Sequence, residues 1–97
     1  MPKFVIERNM PGVGDLSPAD LQAASAKSCA VLNDLGLDIQ WVHSYVTADK
    51  LYCVYIASEE KLIREHAAKG GFPADRISQV NAVIDPTTSE QPAAAMA

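Results

Sequence analysis

The sequence has no run approaching the ~20 consecutive apolar residues that a membrane-spanning helix needs, so we expect no membrane association. Basic residues are in the minority, since eight Lys and Arg against twelve Asp and Glu give a formal net charge of −4. A domain with this balance lacks the positive patch that binds phosphate backbones, so we expect no nucleic-acid partner. The first residues, MPKFVIERN, lack the long apolar core and cleavage site of a signal peptide, which favours a cytoplasmic protein.

Residue types that bind metals or act as nucleophiles are also scarce. The two cysteines, Cys29 and Cys53, are far apart and match no CxxC pattern, so we expect reduced thiols buried as small apolar side chains. There are two histidines, with no His-rich tract and no HExxH motif. Neither a Ser-His-Asp nor a Cys-His arrangement can be recognised, which favours a binding protein over an enzyme without deciding between them.

What the sequence does have is a regular alternation of strand and helix patterns. β-Branched and aromatic residues predict strands at residues 3–10, 37–46, 51–57 and 77–84. The segment SPAD opens a first helix with Ser17 as its N-cap, and Gly36 ends it. Ser58 is the expected N-cap of a second helix that continues through Lys69, before two glycines.

The order β-α-β-β-α-β predicts an α+β, ferredoxin-like fold with a four-stranded antiparallel sheet and both helices on one face. We expect a single domain over residues 1–88 and a flexible C-terminal tail over residues 89–97. One sheet face would be uncovered, and an apolar uncovered face on so short a chain predicts a homodimer that closes into an α+β barrel.

The hairpin register predicts which side chains line that uncovered face. A turn at residues 47–50 pairs Tyr45 with Tyr52, and directly paired residues share a face. Counting back along both strands pairs His43 with Val54 and Trp41 with Ile56. With the outer strands added, the predicted uncovered face collects these residues: Glu7, Asn9, Trp41, His43, Tyr45, Tyr52, Gln79 and Asn81.

His43 is the first candidate for chemistry on this face, because imidazole is the commonest protein metal ligand and a natural general base. Glu7 could lie on the same face, and His66 sits at the edge of the apolar stripe of the second helix, so these three residues are the candidate metal ligands. The alternatives stay open: His43 could hydrogen-bond within an interface, and His66 could be a satisfied, semi-buried helix residue. Trp41, Tyr45 and Tyr52 could stack on a planar ligand or anchor a subunit interface.

Several segments together resemble a known family. They are KFVIERNMPG, IQWVHSYVTADKLYCVYIA, EEKLIREHAAKGGFPADRI and VIDPTT, and they cover most of the chain from Lys3 to Thr88. The sequence resembles a family of short bacterial proteins long labelled as of unknown function, which includes a cytoplasmic nickel-binding protein. The resemblance implies a ferredoxin-like homodimer whose two sheets close into a barrel, and a nickel ion as the bound metal.

Three functions therefore remain in competition. The first is a metal-binding protein, with nickel as the expected metal, acting as buffer or sensor. The second is a small-molecule-binding protein or small enzyme resembling the dimeric α+β barrel monooxygenases, with an organic ligand in the barrel or in a sheet–helix cleft and His43 as base. The third is a dimerisation module whose aromatic face is an interface and nothing more.

Overall fold

The computed structural model of the chain describes residues 1–90. Its strands are β1 (Lys3–Asn9), β2 (Ile39–Val46), β3 (Lys50–Ala57) and β4 (Arg76–Gln79), and its helices are α1 (Pro18–Leu35) and α2 (Glu60–Gly70). Two 3₁₀ turns, Val13–Asp15 and Pro86–Glu90, complete the secondary structure. The predicted tail, residues 89–97, begins within the second of these turns, and residues 91–97 lie outside the described part of the chain.

The four strands form one antiparallel sheet in the order β2-β3-β1-β4. Alternate residues of the central strands are buried, among them Phe4 and Ile6 of β1 and Cys53 and Tyr55 of β3. These pack with Ile63 of α2, and with partly buried leucines of α1, into one hydrophobic core. Both helices therefore cover the same face of the sheet, and the predicted ferredoxin-like α+β fold is confirmed.

The ends of α1 match the predicted capping. The Ser17 hydroxyl accepts a hydrogen bond of 3.1 Å from the backbone N–H of Asp20, and Pro18 occupies the first turn. Gly36 ends the helix with φ of +89°, a backbone conformation that favours glycine. Cys29 is exposed on this helix, so its predicted burial is wrong, whereas Cys53 is buried in the core as expected.

The start of α2 differs from the prediction. Glu59, rather than Ser58, is the N-cap residue, and it makes no side-chain capping bond. The Ser58 N–H instead donates to the Asp38 carbonyl oxygen at 2.9 Å, which ties the end of β3 to the segment before β2. Within residues 1–90, neither helix combines the length and the apolar character that crossing a bilayer requires.

Strand β4 is shorter than the predicted strand over residues 77–84. It pairs with β1 only from Glu7 back to Phe4, and the N–H of Val80 makes a final bond of 2.8 Å to the Lys3 carbonyl oxygen. β1 begins at Lys3, and Pro2, the residue before it, lacks an N–H and cannot add a donor to the sheet. The segment after Gln79 leaves the sheet, and Ile84, the last residue of the predicted strand, is 71% exposed.

Candidate metal face and sheet–helix pocket

The face of the sheet opposite the two helices carries most of the predicted site. We call it the open face. Its residues lie opposite one another in the strand register: His43 beside Val54 and Val5, and Tyr45 beside Tyr52 and Glu7. Val5, Tyr52 and Val54 are half-buried, while His43 and Tyr45 are exposed. The open face thus combines apolar surface with one imidazole, two phenols and one carboxylate, and the same register places the cations Lys3, Lys50 and Arg76 on it.

His43 lies on the edge strand β2, where the register predicted it. Its ring meets the ring of Tyr45 edge-on, with centroids 5.0 Å apart and planes at 72°. The side chain is exposed, so its nitrogens are accessible from solvent or from a partner. An accessible neutral imidazole is a good ligand for a borderline metal ion such as Ni²⁺.

Glu7 lies on the same face but is already paired. Its carboxylate accepts a hydrogen bond of 2.9 Å from the Lys50 ammonium, and the two side chains are 29% and 43% exposed, respectively. The hydrogen bond and the negative charge of Glu7 raise the pKa of Lys50. Two strand spacings and two residues separate Glu7 from His43, which places their Cα atoms about 12 Å apart. One chain therefore does not bring the two donors together closely.

His66 lies on the other side of the sheet. It is fully buried on α2, and its Nε2 is 2.9 Å from the Ser28 hydroxyl of α1. Burial, aided by the positive charge of Arg8, lowers the pKa of His66 from 6.5 to about 4. The sheet therefore separates His66 from Glu7 and His43, and the three predicted ligands cannot share one site within a chain. Among residues 1–90, no group of three His, Cys, Asp or Glu side chains is placed to hold a metal ion.

Trp41 was predicted on the open face, and this is wrong. A β-bulge at Val42 inserts one extra residue into β2, so that Trp41 pairs with Tyr55 rather than with Ile56. This turns the indole to the helix side of the sheet, where its N–H donates to the Ser44 hydroxyl at 2.9 Å. Residues after the bulge keep the predicted register, which is why His43 and Tyr45 stay on the open face.

Of the other polar residues predicted on the open face, one lies on it and two do not. Asn9 ends β1 in register with the open face, and its backbone N–H donates to the Asp75 carboxylate at 2.6 Å. Gln79 pairs with Phe4 and so shares the helix side, one residue out of step with the prediction. Asn81 is exposed and lies beyond the end of β4. The structure thus places these predicted residues on the open face: Glu7, Asn9, His43, Tyr45 and Tyr52. It does not place Trp41, Gln79 or Asn81 there.

A second feature lies on the helix side of the sheet, where the sequence allowed for a ligand cleft but did not predict its lining residues. A pocket of about 170 Å³ lies between α1 and the sheet, and we call it the sheet–helix pocket. Trp41, Leu51 and Phe72 contribute apolar wall, and the guanidinium-bearing side chain of Arg8 lines it as well. Arg8 is only 2% exposed. The signal was present in the sequence, since Arg8 continues the two-residue alternation of the buried Phe4 and Ile6.

Comparison with known proteins agrees with this architecture. A family model described as "Nickel responsive protein SCO4226-like" matches residues 4–80, more than half of the chain. None of the curated proteins matches the sequence. Among solved structures, the crystal structure of SCO4226 from Streptomyces coelicolor A3(2) is similar, with a TM-score of 0.71 at 18% sequence identity. The match covers 84% of this chain and 99% of that one, and at this identity it shows the shared fold.

Proposed function

The chain belongs to the SCO4226-like family of nickel responsive proteins, and we propose that it is a cytoplasmic homodimer that binds nickel where the open faces of two copies meet. The observation that carries the proposal is the exposed imidazole of His43 on a sheet face that the helices leave uncovered. Its ring meets Tyr45 edge-on, a contact that does not occupy the lone pair of a ring nitrogen.

The composition of the open face supports dimerisation. Val5, Val54 and Ile56 form an apolar strip along its middle, and Tyr45 is 61% exposed beside it. Sheets pack face to face at about 10 Å, a distance that lets such side chains interdigitate. Aromatic residues of this kind are enriched at interfaces. A second copy is the partner that can cover the strip with an identical strip.

A dimer also completes the ligand set that one chain lacks. A two-fold axis presents the same patch from both copies, so two imidazoles and two carboxylates would face a shared space. Mixed imidazole and carboxylate donors suit divalent first-row metals, nickel included. In one chain, by contrast, His43 and Glu7 are about 12 Å apart by strand geometry, too far for both to bind one ion without rearrangement.

In the proposed site, Lys50 competes with the metal ion for the Glu7 carboxylate. Glu7 can bind a metal only if it gives up its bond to the Lys50 ammonium or shares the carboxylate with it. The pair is partly exposed, where ion pairs contribute little to stability, so a divalent ion can displace Lys50 at small cost. Nickel binding should also weaken as the pH falls, since imidazole must be deprotonated to act as a ligand.

Titration calorimetry with Ni²⁺ at pH 7.5, combined with native mass spectrometry, tests the proposal. We expect His43→Ala to abolish most of the nickel heat and Glu7→Gln to weaken binding by roughly tenfold, the lower end of losses seen when metal-site groups are removed. Glu60→Gln is the matched control, because Glu60 also holds a cation, Arg64, at 2.9 Å but on the exposed surface of α2. It should bind nickel like the wild type.

Two results would contradict the proposal. One is a His43→Ala protein with the nickel affinity of the wild type. The other is a wild-type protein that binds nickel while native mass spectra show monomers at every protein concentration tested.

A further inference from the structure

The sheet–helix pocket has the form of a ligand site. It lies between the N-terminal half of α1 and the inner face of β2 and β3, on the opposite side of the sheet from the open face. Ala24 and Val46, which are exposed, mark its outer edge, and the buried Cys53 and Tyr55 mark its inner end. A cavity of about 150 Å³ lined by apolar side chains can hold benzene, so a pocket of about 170 Å³ is large enough for a single ring with a small substituent.

One charge faces this apolar space. Arg8 is 98% removed from solvent, and within residues 1–90 no carboxylate lies within ion-pair distance of its guanidinium. Its Nη1 donates to the Pro73 carbonyl oxygen, and the guanidinium carbon lies 5.7 Å from the centre of the Phe72 ring. Arginine has five N–H donors, and the hydrogen bond to Pro73 occupies one of them. Buried charges are ordinarily paired, because desolvation is costly when it is not compensated.

The neighbours of Arg8 do not supply the missing negative charge. Burial raises the pKa of the Tyr55 phenol, so that group is a neutral hydroxyl at physiological pH. His66 is neutral there as well, since its pKa lies at about 4. None of the side chains that line the pocket is an aspartate or a glutamate. The pocket therefore has a net positive end and apolar walls.

We propose that the sheet–helix pocket binds a small organic carboxylate with an apolar, single-ring or branched body. The carboxylate would pair with the Arg8 guanidinium, whose planar fork matches carboxylate geometry. The apolar body would lie against Trp41, Leu51 and Leu21, and the Ser28 and Ser44 hydroxyls would be within the same space for additional hydrogen bonds. Binding of this ligand would involve no residue of the proposed nickel site.

Benzoate is a suitable probe, and the protein carries its own reporter. Trp41 is the only tryptophan in the chain and it lines the pocket, so ligand entry should change its fluorescence. We expect saturable binding of benzoate to the full-length protein, and binding of the neutral isostere benzamide that is weaker by roughly tenfold or more, the loss expected for a hydrogen bond to a charged partner. Benzoate and benzamide that bind equally, or no fluorescence response to benzoate, would overturn the proposal.

A pair of helix variants tests the location. Ala24→Leu should fill the outer edge of the pocket and weaken benzoate binding by roughly tenfold or more, a loss of about 1.4 kcal/mol or more. Ala26→Leu is the matched control, because Ala26 is an exposed alanine of the same helix that does not line the pocket, and it should bind like the wild type. Unchanged benzoate binding in Ala24→Leu would refute the assignment.

Arg8→Gln tests the role of the charge and should remove the preference for benzoate over benzamide. Because a buried strand residue is changed, this variant could fail to fold, in which case the Ala24→Leu and Ala26→Leu pair decides. His43→Ala should bind benzoate normally even where it loses nickel. Loss of benzoate binding in that variant would overturn the separation of the two sites.

Discussion

Replacement of His66 should change how the stability of this protein depends on pH. The imidazole is completely buried, with ring centres 5.2 Å from Tyr55 and 5.6 Å from Phe72. Desolvation is the main reason that the pKa falls to about 4, and the nearby positive charge of Arg8 on β1 adds to it. A hydrogen bond to the backbone of Ser28 of α1 acts in the opposite direction and is the weakest of the three influences. Protonated His66 would be a buried cation beside a buried cation.

The direction of this pH dependence follows from the His66 pKa in the unfolded and the folded protein. In the unfolded chain the histidine pKa is near 6.5, and in the folded protein it is about 4. Between these values the unfolded state binds more protons, so the free energy of unfolding falls as the pH is lowered from about 6.5 to about 4. The stability that neutral His66 contributes is fully present above about pH 6.5. It is lost as the pH falls, and the loss levels off below about pH 4.

The magnitude is large enough to measure. A pKa difference of about 2.5 corresponds to roughly 3 kcal/mol, at 1.36 kcal/mol per pH unit. The whole free energy of unfolding of a domain is commonly about 5–15 kcal/mol. We therefore expect the chain to lose a substantial fraction of its stability on acidification through this one side chain.

Urea denaturation followed by Trp41 fluorescence between pH 4 and pH 8 is the assay. His66→Gln keeps a polar group that can reach Ser28 but does not titrate, so its stability should vary with pH much less over the window from 6.5 to 4. His43→Gln is the matched control, because it makes the same substitution at the exposed histidine on the other face of the sheet. All three proteins share their carboxylates, so the difference between the curves isolates the imidazole. Identical pH slopes for wild type and His66→Gln would refute the reasoning.

Two substitutions test the packing that holds these groups in place, each by the urea midpoint at neutral pH. Ile63→Ala removes a fully buried side chain from the core contact of α2 with the sheet and should cost about 2–5 kcal/mol; a change below 1 kcal/mol would mean that the core is looser than the contacts indicate. Gly14→Ala should also destabilise the protein, because its Cβ would lie 2.8 Å from both the Ala48 Cα and the Thr47 carbonyl oxygen, backbone atoms of the β2–β3 turn. A wild-type midpoint for Gly14→Ala would show that the turn can move away without loss.

The parts of the fold that the sequence predicts correctly are those that depend on local chemistry. Ser17, Pro18 and Gly36 each act within one turn of their own position, so their residue types suffice to place the ends of α1. The hairpin is similar, because a four-residue turn fixes the pairing of Tyr45 with Tyr52 directly. The predicted face was therefore correct for the β2 residues between the turn and the bulge, which include Tyr45 and His43.

The parts that fail depend on contacts with other segments. The residue types around Val42 do not indicate the β-bulge, which places the Trp41 indole on the helix side of the sheet, packed against the core. The end of β4 is fixed by where β1 begins, not by the residues 80–84 themselves. The grouping of His66 with His43 was wrong because His66 is buried between α2 and α1, on the face opposite His43, as the predicted placement of both helices on one face already implies.

The bulge and the two-residue period of β1 together explain how one small sheet can hold two independent kinds of chemistry. Glu7 and Arg8 are neighbours in the chain, yet successive strand residues point to opposite faces, so the carboxylate lies on the open face and the guanidinium in the pocket. In β2 the bulge has a similar effect, because it places the Trp41 side chain in the pocket while His43 remains on the open face. A cation such as Arg8 beside His43 would repel a metal ion, and a carboxylate such as Glu7 beside Arg8 would neutralise the pocket. Because the sheet lies between them, Arg8 does not face a metal ion at His43 and Glu7 does not neutralise Arg8, so nickel and benzoate should bind without competing.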